Sequence, residues 1–206
     1  AGIAALIREY YIVHRNVPTP SAALIKATII NSGVDMGYGM GSDETGWGRV
    51  NISKVLPDSG FGLFFKEAKP GLTTNKQVNY TVSHKINGPF KATLVWSDKE
   101  GSLGGSQSTK KLVNDLNLII TSPSGVVYNG NDFIAPYDSN VDSKNNVEQV
   151  IIPNAEKGMY KVAVKAVNIP ASPQPFGLVI TYPERTLLPK QGGKCKGPAG
   201  GPYVCS

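Results

Sequence analysis

The chain has 206 residues, of which 40% are hydrophobic and 17% are charged, with 23 Gly and 15 Pro. This length allows one large domain, or one domain with part of another, and the many turn-forming residues favour a β-rich fold over a helical bundle. The net charge of +6 comes from scattered basic residues without interleaved aromatic residues, so we predict no nucleic-acid partner. Because no apolar run approaches the roughly 20 residues of a membrane span, we also predict no membrane partner.

The N-terminal segment has the apolar spacing of two amphipathic helices. The first helix should end before Pro18, because the residue that precedes a proline avoids helical geometry. The second should begin after Ser21 as N-cap and end at Gly33. The predicted buried residues are Ile3, Leu6, Ile7, Tyr10 and Tyr11 in the first helix and Leu24, Ile25, Ile29 and Ile30 in the second. About 40 residues cannot form a core alone, so these helices must pack on another part of the protein. The segment lacks a basic n-region and is not predicted to be a signal peptide.

After a Gly-rich loop and a turn at Pro57–Gly60, the hydrophobic period changes to two. The predicted strands are 61–67, 77–84, 91–97, 116–122, 126–129, 148–152, 160–166 and 176–182. Short strands without intervening helices predict a mainly β fold, namely an antiparallel β-sandwich or jelly roll. We therefore divide the chain into a helical segment at 1–57, a β-sandwich at 58–183 and a Gly/Pro-rich tail at 184–206.

The tail and two sequons predict an oxidising, extracellular location. Cys195 and Cys205 lie close together near the end, which favours a disulfide-closed loop over a metal site or the start of a Cys-rich module. Asn51 and Asn79 each begin an Asn-X-Ser/Thr sequon and are candidate glycosylation sites in a secreted eukaryotic protein. Alternation along the predicted strand places Asn79 on the outward side.

A run of oxygen-bearing side chains between two predicted strands is a candidate calcium site. Ca²⁺ takes six to eight oxygen ligands from carboxylates, amide carbonyls, backbone carbonyls and water. The candidate ligands are Asp115, Asp132, Asp138, Asn140, Asp142, Asn145 and Asn146. The alternative is that these Asp and Asn side chains only form Asx turns and cap loops. The spacing is not that of an EF-hand.

Four other residues are open to both a functional and a structural interpretation. Trp96 shares a strand face with Leu94, so we predict a core position rather than a sugar-binding platform. Trp47 is predicted to pack where the two parts of the chain join. His14 and His84 are accompanied by no nucleophile motif, so we predict structural or solvent-facing roles for both.

The order of the motifs resembles that of one protease family. Residues 1–11, 20–33 and 46–51 resemble the end of a subtilisin-like serine protease domain. Further motifs resemble the C-terminal sandwich of the oxidatively stable alkaline proteases of bacilli. These motifs are LVWSD at 94–98, LVNDLNLII at 112–120, GNDF at 130–133, NNVEQV at 145–150 and VNIPASPQPF at 167–176. The resemblance covers residues 1–182, and five motifs in the same order are far more specific than one.

The resemblance implies the C-terminal portion of a secreted subtilisin-like serine endopeptidase. The helices would be a remnant of the α/β catalytic domain, and calcium would stabilise the sandwich. Asn117 stands where the family has Asp, which removes a charge from that region. The Asp/His/Ser triad would lie upstream of Ala1, so this chain alone should not hydrolyse peptide bonds.

Two partners follow from the same resemblance. One is the N-terminal catalytic part of the protease, attached or retained as a separate chain after processing, and the other is a protein or peptide substrate. The alternative is an independent carbohydrate- or protein-binding module without a role in proteolysis.

Overall fold

The computed structural model describes residues 1–55, 60–104 and 110–184. Before the sandwich lie helices α1 (Gly2–His14) and α2 (Ala22–Asn31), the short strands β1 (Gly33–Val34) and β2 (Arg49–Val50), and a 3₁₀ helix (Ile52–Lys54). The predicted N-cap of α2 is confirmed, because the Leu24 backbone N–H donates to the Ser21 hydroxyl at 3.1 Å.

Eight antiparallel strands form the rest of the described chain. They are β3 (Phe61–Leu72), β4 (Gln77–His84), β5 (Gly88–Val95), β6 (Asp115–Thr121), β7 (Val127–Asn129), β8 (Val147–Ala155), β9 (Gly158–Asn168) and β10 (Gln174–Pro183). Each predicted strand overlaps one of them, because alternating apolar residues fit a sheet with one buried face. The predicted mainly β fold is therefore confirmed.

The eight strands form two four-stranded sheets with the order of a jelly roll. One sheet has the order β3–β10–β5–β8, and the other has the order β4–β9–β6–β7. The first strand of the sandwich thus lies beside the last, which closes the two Greek keys of this architecture. The closing pair is long, running from Phe61 opposite Pro183 to Leu72 opposite Gln174.

The inner faces of the two sheets form the larger hydrophobic core. Trp96 is 1% exposed within it, and its indole N–H donates to the Asn114 carbonyl at 2.9 Å. The predicted core position of Trp96 is thus confirmed, and its one polar group is paired inside the core. Phe90 and Tyr160 stack with their ring centroids 4.6 Å apart and link the two sheets.

Helix α2 packs on the outer face of the β10/β5 half of the first sheet. Leu24 and Ala27 bury against Val95, Val147 and Val179 in a second core. The helix approaches so closely at Gly177 that a Cβ atom there would lie 2.7 Å from the Leu24 Cα. Glycine at this position is therefore what allows the helix to seat on the sheet.

A buried side-chain amide at the end of α2 stabilises the packing of this helix on the first sheet. The Asn31 side-chain NH₂ donates to the Lys91 carbonyl at 3.0 Å, the Thr93 hydroxyl at 3.1 Å and the Val179 carbonyl at 3.2 Å. Its side-chain oxygen accepts from the Thr181 hydroxyl at 2.8 Å. One side chain thus joins α2 to both β5 and β10, and we call these five residues the Asn31 cluster.

Helix α1 packs on α2 and leaves an apolar side exposed. The Tyr11 hydroxyl lies 2.8 Å from the Thr28 hydroxyl, and burial raises the pKa of Tyr11 well above its usual value. Ile7, Tyr10 and Tyr11 are buried as predicted. The predicted burial of Ile3 and Leu6 is wrong, since they are 39% and 53% exposed. The apolar stripe of α1 is wider than the surface that α2 and β3 cover.

Several predictions fall outside the described residues. The predicted boundary between 57 and 58 lies in the segment 56–59, and Cys195, Cys205 and nearly all of the tail lie in 185–206. In the described ranges, no helix has the length and hydrophobicity needed to cross a membrane.

Candidate functional site

The connection between β7 and β8 holds most of the predicted calcium ligands, and Asp132 organises its first half. One Asp132 carboxylate oxygen accepts from the backbone N–H groups of Ser139 and Asn140, both at 3.0 Å. The Asn140 N–H is the main cause of the lowered pKa of Asp132. This geometry is that of a carboxylate capping a turn, which the sequence left as the alternative to a metal ligand.

Asp142 organises the second half of the connection. Its Oδ1 accepts from the backbone N–H groups of Lys144 at 2.8 Å and Asn145 at 3.1 Å. Its Oδ2 accepts from the side-chain amides of Asn131 at 2.6 Å and Asn145 at 2.7 Å. Partial burial raises the pKa of Asp142, but these hydrogen bonds outweigh it and the net shift is downward.

The remaining predicted ligands differ in their surroundings. Asp138, Asn140 and Asn145 are exposed, and Asn146 donates from its amide to the Trp96 carbonyl at 3.0 Å. Throughout the described part of the chain, no three His, Cys, Asp or Glu side chains are grouped to hold a metal ion. Any cation site here must therefore combine fewer carboxylates with amide or backbone oxygens.

A buried carboxyl group from strand β8 lies beside this connection. Glu148 is 1% exposed, and its Oε2 accepts from the Leu118 backbone N–H at 2.5 Å. Its Oε1 has no hydrogen-bond partner among the described residues. A Cβ atom at position 130 would lie 2.2 Å from Oε2, so Gly130 makes room for the carboxyl group.

Other unpaired oxygens accompany Glu148. The side-chain oxygens Asp115 Oδ1 and Asn117 Oδ1 are buried and likewise lack a partner in the described ranges. A small cavity is lined by Asn117, Asn129, Gly130, Asp142 and Glu148 among others. We call Asp115, Asn117, Asp142 and Glu148 the Glu148 cluster. The only cation paired with it in the described ranges is Lys110, whose ammonium lies 3.0 Å from Asp115 Oδ2.

The electrostatics of the Glu148 cluster are unfavourable to an ionised Glu148. Burial is the main cause of a pKa raised well above the usual value, and the negative charges of Asp142 and Asp115 add to it. An unpaired buried carboxylate is costly, so such a group either holds a proton or binds a cation. The three unpaired oxygens and the carboxylate of Asp142 are the ligand chemistry that Ca²⁺ prefers.

The sequence contained a signal for Glu148 that was not used. Glu148 stands in the motif NNVEQV and is the first residue of the predicted strand 148–152, which continues with Val150, Ile151 and Ile152. A charged residue is almost never fully buried unless it is paired. A charged residue in an apolar strand is therefore a signal for a functional site at Glu148. Asp132 and Asp138 were predicted as ligands only from their position in an oxygen-rich loop.

The two histidines are not arranged for nucleophilic catalysis. His84 is 1% exposed, and aromatic rings of Phe90, Tyr160 and Tyr182 surround it at centroid distances of 5.7 to 6.2 Å. Burial lowers the pKa of His84. His14 is exposed near the end of α1. Asp98 accepts from the backbone N–H groups of Val113 at 2.7 Å and Asn114 at 2.9 Å, and so caps a turn.

Comparison with known proteins finds a relative that is named as a protease. Over 215 aligned residues the chain is 30% identical to the serine protease/ABC transporter B family protein tagA of Dictyostelium discoideum. The match covers 91% of this chain but 12% of that protein, so the chain corresponds to a small part of a much longer relative. No family model matches the sequence.

The similarity of this chain to solved structures is distant. The periplasmic lysozyme inhibitor PliG of Aeromonas hydrophila has a TM-score of 0.32 and 13% identity over 58% of this chain and 83% of its own. The lipase BlEst2 of Bacillus licheniformis also has a TM-score of 0.32, with 14% identity over 60% of this chain and 22% of its own. Similarity at this level does not bear on function.

Proposed function

We propose that this chain is the C-terminal portion of a secreted subtilisin-like serine endopeptidase. The observation that carries the proposal is the docking of α2 on the sandwich through Gly177 and the Asn31 cluster. The helices carry the motifs that resemble the end of a subtilisin-like domain, and the sheet beneath them carries the sandwich motifs. In this role the sandwich braces the last helices of the catalytic domain from one side.

The exposed side of α1 supports a partner on the opposite side. Ile3, Leu6 and Val13 are 39%, 53% and 60% exposed. The relative named as a serine protease is about eight times longer than the matched region, so further protein is expected to accompany such a segment. The proposed occupant of this surface is the catalytic part of the same protease, attached or as a separate chain.

The alternative of an independent carbohydrate- or protein-binding module has weaker support. A module that works alone would not need two helices that bury apolar residues against its sheet and expose others. The buried Asn31 cluster ties those helices to the middle strands β5 and β10 rather than to an edge. Binding of residues 60–184 alone to a glycan array would nevertheless favour that alternative.

The test is to recover the native protein and identify what accompanies it. A fluorophosphonate probe should label a serine in polypeptide upstream of, or associated with, this chain, and mass spectrometry should find the catalytic motif there. The isolated chain should not be labelled and should not cleave a fluorogenic peptide. Labelling within residues 1–206, or native material that lacks any catalytic polypeptide, would overturn the proposal.

We further propose that calcium stabilises the sandwich and that Glu148, Asn117 and Asp142 contribute to its binding. The supporting observation is that Glu148 Oε1 and Asn117 Oδ1 are buried without a partner in the described ranges, and that both residues line the small cavity together with Asp142. Calcium would supply the positive charge that the cluster lacks. Because it would bind the folded cluster and not the unfolded chain, it would raise the melting temperature.

The calcium proposal is tested by calorimetry with metal-free protein. Addition of Ca²⁺ at one hundred times its dissociation constant should stabilise the fold by about 2.7 kcal/mol, which is a rise of roughly 5 to 11 °C for a chain of this size. Glu148→Gln should abolish most of the rise, and Asp132→Asn serves as the matched control. An unchanged melting temperature in wild-type protein, with and without calcium, would exclude the proposal.

A further inference from the structure

A second cavity lies between the helical segment and the first sheet of the sandwich. It measures about 280 Å³ and opens between the end of α2 and strands β5, β8 and β10. Its apolar walls include Met40, Phe61, Phe90, Ile151 and Pro153. This volume lies at the lower limit of small-molecule sites, which range from roughly 300 to 1,000 Å³ and combine apolar walls with a few polar groups.

The polar groups that line this cavity fall into two sets. Asn31 and Thr181 are fully engaged with each other and with the sheet, as described for the Asn31 cluster. Asp35 is also engaged, because its Oδ1 accepts from the backbone N–H groups of Gly37 at 2.9 Å and Gly39 at 3.0 Å. The second set consists of two ammonium groups, those of Lys91 and Lys54.

Lys91 is held at the cavity in a fixed position. Its side chain is half-buried, and its ammonium donates one hydrogen bond to the Gly33 carbonyl at 2.7 Å. An ammonium has three donors, so two remain for another acceptor. None of the ion pairs between described residues includes Lys91. The pKa of Lys91 is lowered to about 8, mainly by burial and secondly by the Lys54 charge, while the Asp35 charge acts in the opposite direction.

Lys54 stands at the rim of the same cavity. Its side chain is exposed on the 3₁₀ helix, and its ammonium lies 5.5 Å from the centroid of the Phe61 ring. The stacking holds the charge near the apolar wall without a carboxylate partner among the described ion pairs. Two positive charges therefore face one apolar cavity.

We propose that this cavity binds a carboxylate that is attached to a compact apolar group, with Lys91 as its ion-pair partner. The carboxylate would accept hydrogen bonds from the two remaining N–H donors of Lys91. The apolar group would fill the space between Phe61, Phe90 and Ile151. A charge-assisted hydrogen bond of this kind is stronger than a neutral one, more so in a partly desolvated site. The proposal is independent of the protease assignment.

The chemistry fits two sources of ligand, namely the free C-terminus of a peptide that ends in an apolar residue and a free short-chain carboxylic acid. The probes are N-acetyl-leucyl-leucine for the first source and 4-methylpentanoate for the second. The matched control for each is the corresponding carboxamide. Amide resonances of the ¹⁵N-labelled 206-residue chain near Gly33, Lys91 and Thr181 report binding at this cavity.

At pH 7 the acids should shift these resonances in a saturable manner, and the carboxamides should bind at least tenfold more weakly. Lys91→Met keeps the apolar stem and removes the charge, so it should reduce acid affinity to the level of the carboxamide. Lys54→Gln changes an exposed residue and tests the site even where Lys91→Met disturbs folding. It should reduce acid affinity by roughly two- to fivefold. Lys161→Gln, on the exposed face of β9, is the control and should have no effect.

The pH dependence separates an ion pair at Lys91 from general surface attraction. Acid affinity should be constant from about pH 6 to pH 7, where the probe carboxylate is ionised and the ammonium is protonated, and should fall as pH rises through about 8, where the ammonium loses its proton. Lys54→Gln should move this fall to higher pH, because the Lys54 charge lowers the pKa of Lys91. Equal binding of acid and carboxamide, or no saturable shift at millimolar probe, would refute the site.

Discussion

Two buried polar clusters lie on the same β-sandwich and differ in how completely their hydrogen bonds are made. In the Asn31 cluster, the amide has three acceptors and one donor within 3.2 Å. In the Glu148 cluster, three buried oxygens have no partner within the described ranges. A complete network is typical of a structural joint, whereas an incomplete one indicates a proton or ligand that the protein atoms do not supply.

The largest loss of stability should come from a substitution that disrupts the Asn31 cluster. Asn31→Ala removes the recorded acceptor of the Thr181 hydroxyl, one of the two donors to the Thr93 hydroxyl and one donor to each of two backbone carbonyls, and each such loss costs about 1 kcal/mol. We expect a loss of about 3 kcal/mol in the free energy of unfolding, measured by urea denaturation. The exposed Gln77→Ala should change it by less than about 0.5 kcal/mol. A loss as small as the control would mean that the helices contribute little to the fold.

The next largest effect on stability concerns the Glu148 cluster in the absence of calcium. The folded pKa of Glu148 is raised, so the folded state binds more protons than the unfolded state above the unfolded pKa of about 4.3. Stability from this group is therefore full below that pH and is lost as pH rises toward the folded pKa. In EDTA, wild-type protein should lose stability between pH 5 and pH 7 relative to Glu148→Gln, with a slope of no more than about 1.4 kcal/mol per pH unit. Identical pH profiles would show that Glu148 does not titrate.

The two clusters also differ in how well the sequence predicts them. Asn31 was assigned to the end of a helix correctly, but nothing local in the sequence indicates that its amide reaches residues 60 to 150 positions away. Glu148 was recognisable as a charge within an apolar strand. The eight strands were predictable because alternation is a local property, whereas the strand order and the seating of α2 at Gly177 depend on pairing between distant segments.

The oxygen-rich connection shows the limit of composition as a guide to chemistry. Asp132 and Asp142 have the side chains of metal ligands, but their oxygens accept backbone N–H groups within a few residues. Short polar side chains compete for nearby backbone donors, and loop composition does not reveal which use prevails. The unpaired oxygens belong to strands, where most backbone donors are paired in the sheet and the Leu118 N–H is taken by the other oxygen of Glu148.

A smaller effect is expected at His84, a third buried polar group. Burial lowers its folded pKa, so the unfolded state binds more protons and stability falls as pH drops through about 6.5. The slope cannot exceed about 1.4 kcal/mol per pH unit for one group. His84→Gln should flatten the stability profile between pH 5 and pH 6.5, opposite in sign to the contribution of Glu148. A profile that steepens would contradict this assignment.

The smallest effect is expected at Asp138. This predicted ligand is exposed and far less constrained than Glu148. Asp138→Asn should change the free energy of unfolding by less than about 0.5 kcal/mol and leave the calcium-dependent rise in melting temperature unchanged. If Asp138→Asn removes that rise and Glu148→Gln does not, the cation site belongs to the loop and the comparison of the two clusters must be revised.

The position of β10 in the sheet has a consequence for synthesis of the protein. This strand is the last among the described residues, yet it lies between β3 and β5 and carries Gly177 and Val179, on which α2 rests. Asn31 is 148 residues ahead of Val179. At roughly 5 to 20 residues per second, a ribosome needs roughly 7 to 30 s to cover that distance. During this interval the apolar side of α2 has no sheet to cover it, so nascent chains arrested before residue 174 should be the form that chaperones bind.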